Sequence, residues 1–229
     1  MSSKVKAMIF GIDDVLYDAS LQSSSARLSA VRAMIEAGLP ADVETGYRTL
    51  EESVKELGPD NNQHFDKLLE KLGLKWTPEV VAAGVVAYRS TNPVYLKPYP
   101  DTVPTLLKLR GEKYKLGAVS EGKSVKQWQK LISLGLQHLF DTVVISQDMK
   151  LDHLTESVLR HALDDLGVHA TNAVFIGVNP EKEIDVANRA GLISVRLRKG
   201  NSKLEKTGQT KPKYEISKLS ELTQLLTKL

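Results

Sequence analysis

The sequence predicts an α/β protein: a doubly wound parallel sheet flanked by helices, with an α-helical domain inserted near its start. Two observations lead there. Over most of the 229 residues short apolar runs alternate with helical patterns, as they do when a parallel sheet is wrapped by its crossover helices. One stretch, 20–93, breaks the alternation with four helical patterns and no convincing strand. The expected core is therefore 1–19 and 94–229, and the helical insert is 20–93.

The strands are expected at 5–10, 115–119, 142–146, 173–177 and 192–197, each a short apolar run of the kind buried on both faces. The segment 124–134 reads as a helix with Val125, Trp128, Leu131 and Ile132 on one face. The segment 155–166 carries Val158, Leu159, Ala162, Leu163 and Leu166, the stripe of a helix facing a core. A further helix at 180–190 starts with Pro180 in its first turn and stops at Gly191. A last helix, 219–226, is expected to close the sheet. Within the insert, helical patterns at 25–38, 42–57, 63–72 and 78–88 are separated by turn-forming Gly38-Leu39-Pro40, Gly58-Pro59-Asp60 and the stretch 73–77. Such a core is Rossmann-like.

Bulk properties narrow the function classes. A hydrophobic content of 41% is enough to build a globular core, yet no apolar run approaches the ~18–20 residues of a membrane span. The first residues enter a strand without a secretory h-region, and the absence of cysteine removes disulfides and thiolate metal sites. A cytoplasmic location with no membrane partner is expected. The net charge of +3 is uneven: 196–213 holds seven basic residues against Glu205, so the rest of the chain is mildly acidic. Such a run could neutralise nucleic-acid phosphates. It has no aromatic stacking platform before Tyr214 and is rich in Gly, Asn, Ser and Thr, so a solvated loop is the expected reading and a nucleic-acid partner is not expected.

The chemistry-bearing residues follow the expected strands. After the first comes Gly11-Ile12-Asp13-Asp14-Val15-Leu16-Tyr17-Asp18; after the second, Ser120-Glu121-Gly122. Lys150-Leu151-Asp152-His153-Leu154-Thr155 follows the third, and Gly177-Val178-Asn179-Pro180-Glu181-Lys182-Glu183 the fourth. The first string resembles the motif hhhhDxDx(T/V)L of the haloacid dehalogenase superfamily. In that family the first aspartate is the nucleophile and a Mg²⁺ ligand, and the second is the general acid/base. The resemblance puts Asp13 at the acid/base position and Gly11, with no side chain to attack phosphorus, at the nucleophile position.

The other motifs carry the resemblance further. Ser120 matches the phosphate-binding Ser/Thr of the second motif. Glu121 stands where many active relatives have Asn or Asp, and a carboxylate beside a phosphate cradle is electrostatically unfavourable. The third motif, typically G-L-K-K-P-D-P-x-I-F, would place its phosphate-binding lysine on His153. A neutral imidazole is a poor match for a fixed ammonium facing a dianion, although a neighbouring phosphate would favour its protonation; Lys123 and Lys150 are candidate substitutes. In the fourth motif, G-D-x-x-x-(x)-D, the metal-binding aspartate falls on Val178 and the second acid survives as Glu183. Magnesium demands hard oxygen donors, so Gly11 and Val178 together imply that no Mg²⁺ is held as in the family.

The likeness covers almost the whole chain. Ala37-Gly38-Leu39-Pro40, His64-Phe65-Asp66, the run 83–88 and Val125-Lys126-Gln127-Trp128 are similar to archaeal members of subfamily I, described as haloacid dehalogenase-like hydrolases or glyceraldehyde 3-phosphate phosphatases. The resemblance implies that 20–93 is a C1 cap and that the ancestral substrates were small phosphorylated metabolites. His64 and Tyr88 in the cap are expected to pack between helices rather than face a ligand. Nucleophile, lysine and metal acid are lost from one pocket, so the sequence points to a protein without phosphohydrolase activity that binds an unidentified protein or a small phosphorylated ligand. The alternatives are an active Mg²⁺-dependent phosphatase with altered catalytic groups, and a nucleic-acid-associated protein using 196–213.

Overall fold

The computed structural model describes residues 5–199 and 208–229. They form two compact units, Ala19–Leu96 on the one hand and Met1–Asp18 with Lys97–Leu229 on the other. The split lies within three residues of the expected boundaries at 19/20 and 93/94. The second crossing falls later because α4 (Pro78–Tyr95) carries Pro93 in its last turn instead of ending there.

The α/β unit is built on a parallel six-stranded sheet of order β3-β2-β1-β4-β5-β6. Its strands are β1 (Ala7–Gly11), β2 (Lys115–Ser120), β3 (Thr142–Ile145), β4 (Ala173–Gly177), β5 (Ile193–Leu197) and β6 (Tyr214–Ile216). Every residue of β1 and β4 is buried, so their unbroken apolar runs are read correctly as central strands. Register aligns Gly11 with Val119 on one side and Phe10 with Ile176 on the other. The C-terminal ends of β1, β2 and β4 thus lie side by side, and the loops that leave them form the candidate site. A ligand crevice at this edge is the rule for open α/β sheets.

β6 is a sixth strand that the sequence does not announce. It is only three residues long and contains Glu215, whose charge hides the pattern. The sheet edge is therefore closed by β6, while 219–226 forms only short turns around α9 (Leu222–Leu225).

The helices beside the sheet include α5 (Thr102–Gly111), α6 (Ser124–Ser133), α7 (Glu156–Leu166) and α8 (Asp185–Arg189). In α7 the expected stripe Val158, Leu159, Ala162, Leu163 and Leu166 is buried as predicted and packs in one cluster with Ile9, Val119 and Phe175. Of the four apolar residues expected on one face of α6, only Leu131 is buried. Val125 and Ile132 are 70% and 57% exposed and Trp128 is partly exposed, whereas Leu131 and the polar Gln127 are buried. The Gln127 amide nitrogen donates to the Glu121 carbonyl at 3.0 Å, while its buried Oε1 has no hydrogen-bond partner among the described residues.

The helical unit consists of α1 (Ala19–Glu36), α2 (Val43–Leu57), α3 (His64–Lys71) and α4. Val31, Met34, Leu50, Phe65, Leu68 and Val80 share its core. His64 bonds the Gly58 carbonyl at 2.8 Å, and the Tyr88 ring meets Phe65 edge-on at 6.3 Å, so both are used inside this unit.

Among the described residues of the basic segment 196–213, Arg196, Arg198 and Lys199 meet acidic partners, while Lys211 and Lys213 are exposed. Arg196 is buried and lies 3.9 Å from Glu215, and Arg198 reaches the same carboxylate at 3.1 Å. The Lys199 ammonium sits 3.3 Å from the Tyr99 ring centroid and 3.6 Å from Asp101. Lys203, Glu205 and Lys206 lie outside the described residues.

Candidate active site

The loop after β1 turns sharply, with Asp14 in the left-handed region at φ 61°. This turn directs Asp13 back toward its own loop: the buried Tyr17 hydroxyl donates to Asp13 Oδ1 at 2.8 Å. From α6, Lys130 Nζ donates to both Asp13 oxygens, at 2.8 and 2.7 Å. The carboxylate at the acid/base position is thus held by an ammonium and a phenol from within the chain.

Ser120 closes β2, is nearly buried, and its hydroxyl donates to the Glu121 carbonyl at 3.2 Å. Glu121 is the meeting point of the next two loops. His153 Nδ1 lies 3.6 Å from one of its oxygens and Lys182 Nζ 3.7 Å from the other. The fold thus brings Lys182, from the loop after β4, to the opposite side of the Glu121 carboxylate from His153. Lys123 and Lys150, the substitutes expected from sequence, stand exposed at helix ends, Lys150 in a left-handed cap conformation.

After β4 the chain enters a turn in which Asn179 caps the following helical segment, its side chain accepting from Glu181 N and Lys182 N at 3.0 and 3.1 Å. Val178 is buried. Glu183 Oε2 accepts from Val178 N at 2.8 Å and Asn179 N at 2.6 Å. Its other oxygen points at Gly11: a Cβ on Gly11 would lie 2.9 Å from Glu183 Oε1.

The structure thus gathers Gly11, Asp13, Ser120, His153, Val178 and Glu183 at one end of the sheet. Lys130, Tyr17 and Lys182 are neighbours that sequence reading did not pair with Asp13 or Glu121. Lys130 sits 117 residues from Asp13, and no local spacing could pair them. Tyr17 was visible, four residues from Asp13.

This donor set does not fit the Mg²⁺ of the family. Positions 11 and 178 offer no side-chain oxygen, both Asp13 oxygens are engaged by Lys130, and one Glu183 oxygen, Oε2, accepts from two backbone N–H groups. Among the described residues no group of three or more His, Asp or Glu side chains is arranged to hold a metal ion. Magnesium binding demands near-octahedral oxygen ligation anchored by carboxylates, which these residues do not supply.

A parallel Rossmann-like sheet with a helical insertion after its first strand, and four motif-bearing loops at one end, defines a hydrolase-type α/β fold. The family model for haloacid dehalogenase-like hydrolases matches residues 8–197. The chain belongs to that family. It is 44% identical over 98% of its length to the glyceraldehyde 3-phosphate phosphatase of Methanopyrus kandleri, covering 98% of that protein. It is 33% identical to the enzyme of the same name from Methanocaldococcus jannaschii, with 98% of each chain covered. Among solved structures, a HAD phosphatase from Thermococcus onnurineus has the same fold, with a TM-score of 0.68 at 24% identity over 97% of this chain and 98% of that one. No helix among the described residues is long and apolar enough to cross a membrane.

Proposed function

We propose that this chain is a non-hydrolysing member of the haloacid dehalogenase-like hydrolases, working by binding rather than by turnover. One observation carries the reading. The position of the attacking carboxylate is Gly11, and the space beside it is taken by the Glu183 carboxylate, which is itself fixed by two backbone N–H groups. Asp13 cannot serve both as nucleophile and as acid/base, and its oxygens are bound by Lys130. Removing one essential catalytic group typically costs about 10⁴-fold or more, after which further losses cost little. The substitutions at His153 and Val178 agree with that history. Ser120, His153 and Lys182 remain at the rim as groups that could hold the anionic head of a small phosphorylated ligand; a protein partner is the other candidate.

The relatives favour a second reading and do so more strongly than they favour the first. Proteins up to 44% identical along nearly the entire chain are named glyceraldehyde 3-phosphate phosphatases. On that reading this chain is a phosphatase of small phosphorylated metabolites in which Ser120, Asp13, Glu183 and Lys182 replace the usual groups. Phosphate release from a panel of small phosphomonoesters, glyceraldehyde 3-phosphate included, with and without Mg²⁺, separates the two. A rate indistinguishable from the blank supports the binding protein; Mg²⁺-dependent turnover establishes the phosphatase.

A further inference from the structure

Gly11 is not required by the backbone. The glycines with positive φ among the described residues are Gly38, Gly58, Gly73, Gly122, Gly135, Gly167 and Gly191, and Gly11 is not one of them. What distinguishes Gly11 is its surroundings. A Cβ there would meet Glu183 Oε1 at 2.9 Å and Val15 Cγ2 at 3.2 Å. Gly177 borders the same side chain, since a Cβ on it would lie 3.0 Å from Glu183 Cβ and 3.2 Å from Oε2. Two glycines on adjacent strands thus leave a slot, and Glu183 lies in it.

We infer that Gly11 and Glu183 form one coupled unit, in which the glycine provides the room and the glutamate carboxylate fills it as a positioning group for the Val178–Asn179 turn. The inference deepens the non-hydrolysing reading, because the volume a side chain at position 11 needs is already held by an anion. Displacing Oε1 to clear an added atom turns the same carboxylate whose Oε2 accepts from the Val178 and Asn179 N–H groups at 2.8 and 2.6 Å, and so weakens those bonds. Any side chain at position 11 therefore competes with the bracket across the loop after β4. Glu183 acts through the turn it holds and not on a reacting atom.

The test is a double-mutant cycle read by urea unfolding, which is independent of whether the protein turns over a substrate. Gly11→Ala in the natural background should raise the unfolding equilibrium constant about tenfold, the scale of charge-assisted backbone bonds lost. In a Glu183→Ala background the same substitution should cost much less, since only the Val15 Cγ2 contact at 3.2 Å then remains to be relieved. Glu183→Asp, one methylene shorter, supplies a second background in which the added methyl should be tolerated. Strong non-additivity in these cycles supports the coupled unit. An equal cost of Gly11→Ala in all three backgrounds overturns it.

Discussion

Lys130 Nζ contacts both carboxylate oxygens of Asp13, at 2.7 and 2.8 Å, so the surviving acid of the first motif is tied to α6. The pair is partly exposed, with side-chain exposures of 24% and 43%, which keeps its worth small. Lys130→Met should lower stability by no more than about 1 kcal/mol. A cycle with Asp13→Asn should return a coupling energy of the same size, measured by denaturant unfolding.

The stretch that returns the chain to β6 is held by a buried acid. Burial pushes the Asp185 carboxyl up, but hydrogen bonds from the Thr210 hydroxyl and from the N–H groups of Gln209 and Thr210 outweigh it and hold the carboxyl below its ordinary value of 3.8. A depressed folded pKa adds stability that is complete above the unfolded value and lost as pH falls through the folded one. Stability should therefore fall on acidification below about pH 4. Asp185→Asn should cost about 1–3 kcal/mol at neutral pH and flatten that acid limb, as followed by urea unfolding across a pH series.

On α6, the outward position of the apolar residues predicts a contrast. Val125→Lys and Ile132→Lys should change stability by less than about 0.5 kcal/mol, as is usual for exposed sites. Leu131→Ala, fully buried in the same helix, should cost about 2–5 kcal/mol. Thermal unfolding of the three variants checks the assignment of the helix face.

The sequence made the central strands legible because β1 and β4 are buried on both sides and consist of unbroken apolar runs. It made the site legible because each motif lies within a few residues of a strand end. The face of α6 was misread because apolar residues at helical spacing imply burial only on average, and Gln127 had found a backbone partner that sequence spacing does not reveal. β6 was missed because three residues carrying a charge give no periodic signal. The pairs Lys130–Asp13 and Glu183–Gly11 are products of topology, which joins loops from different strands, and only the structure shows them.

The ion pairs within 196–199 predict weak interaction with nucleic acid. Arg196, Arg198 and Lys199 already face Glu215 or Asp101, so few of the segment's described charges are left to release counterions. Fluorescence anisotropy with a labelled DNA duplex should show no saturable binding at physiological salt.

Restoring the family motifs should require four changes rather than three. Gly11→Asp, His153→Lys and Val178→Asp rebuild the missing groups, but the new aspartate collides with Glu183 Oε1, 2.9 Å from its Cβ. Adding Glu183→Asp removes that overlap. Phosphate release with Mg²⁺ should be higher in the quadruple variant than in the triple one.

The most direct measurement is the rate of phosphate release by the natural protein from glyceraldehyde 3-phosphate in saturating Mg²⁺, run beside the 44%-identical Methanopyrus kandleri phosphatase. A rate at the level of the protein-free control, with the relative active in the same assay, is the predicted result. Mg²⁺-dependent turnover by the natural protein would contradict the account.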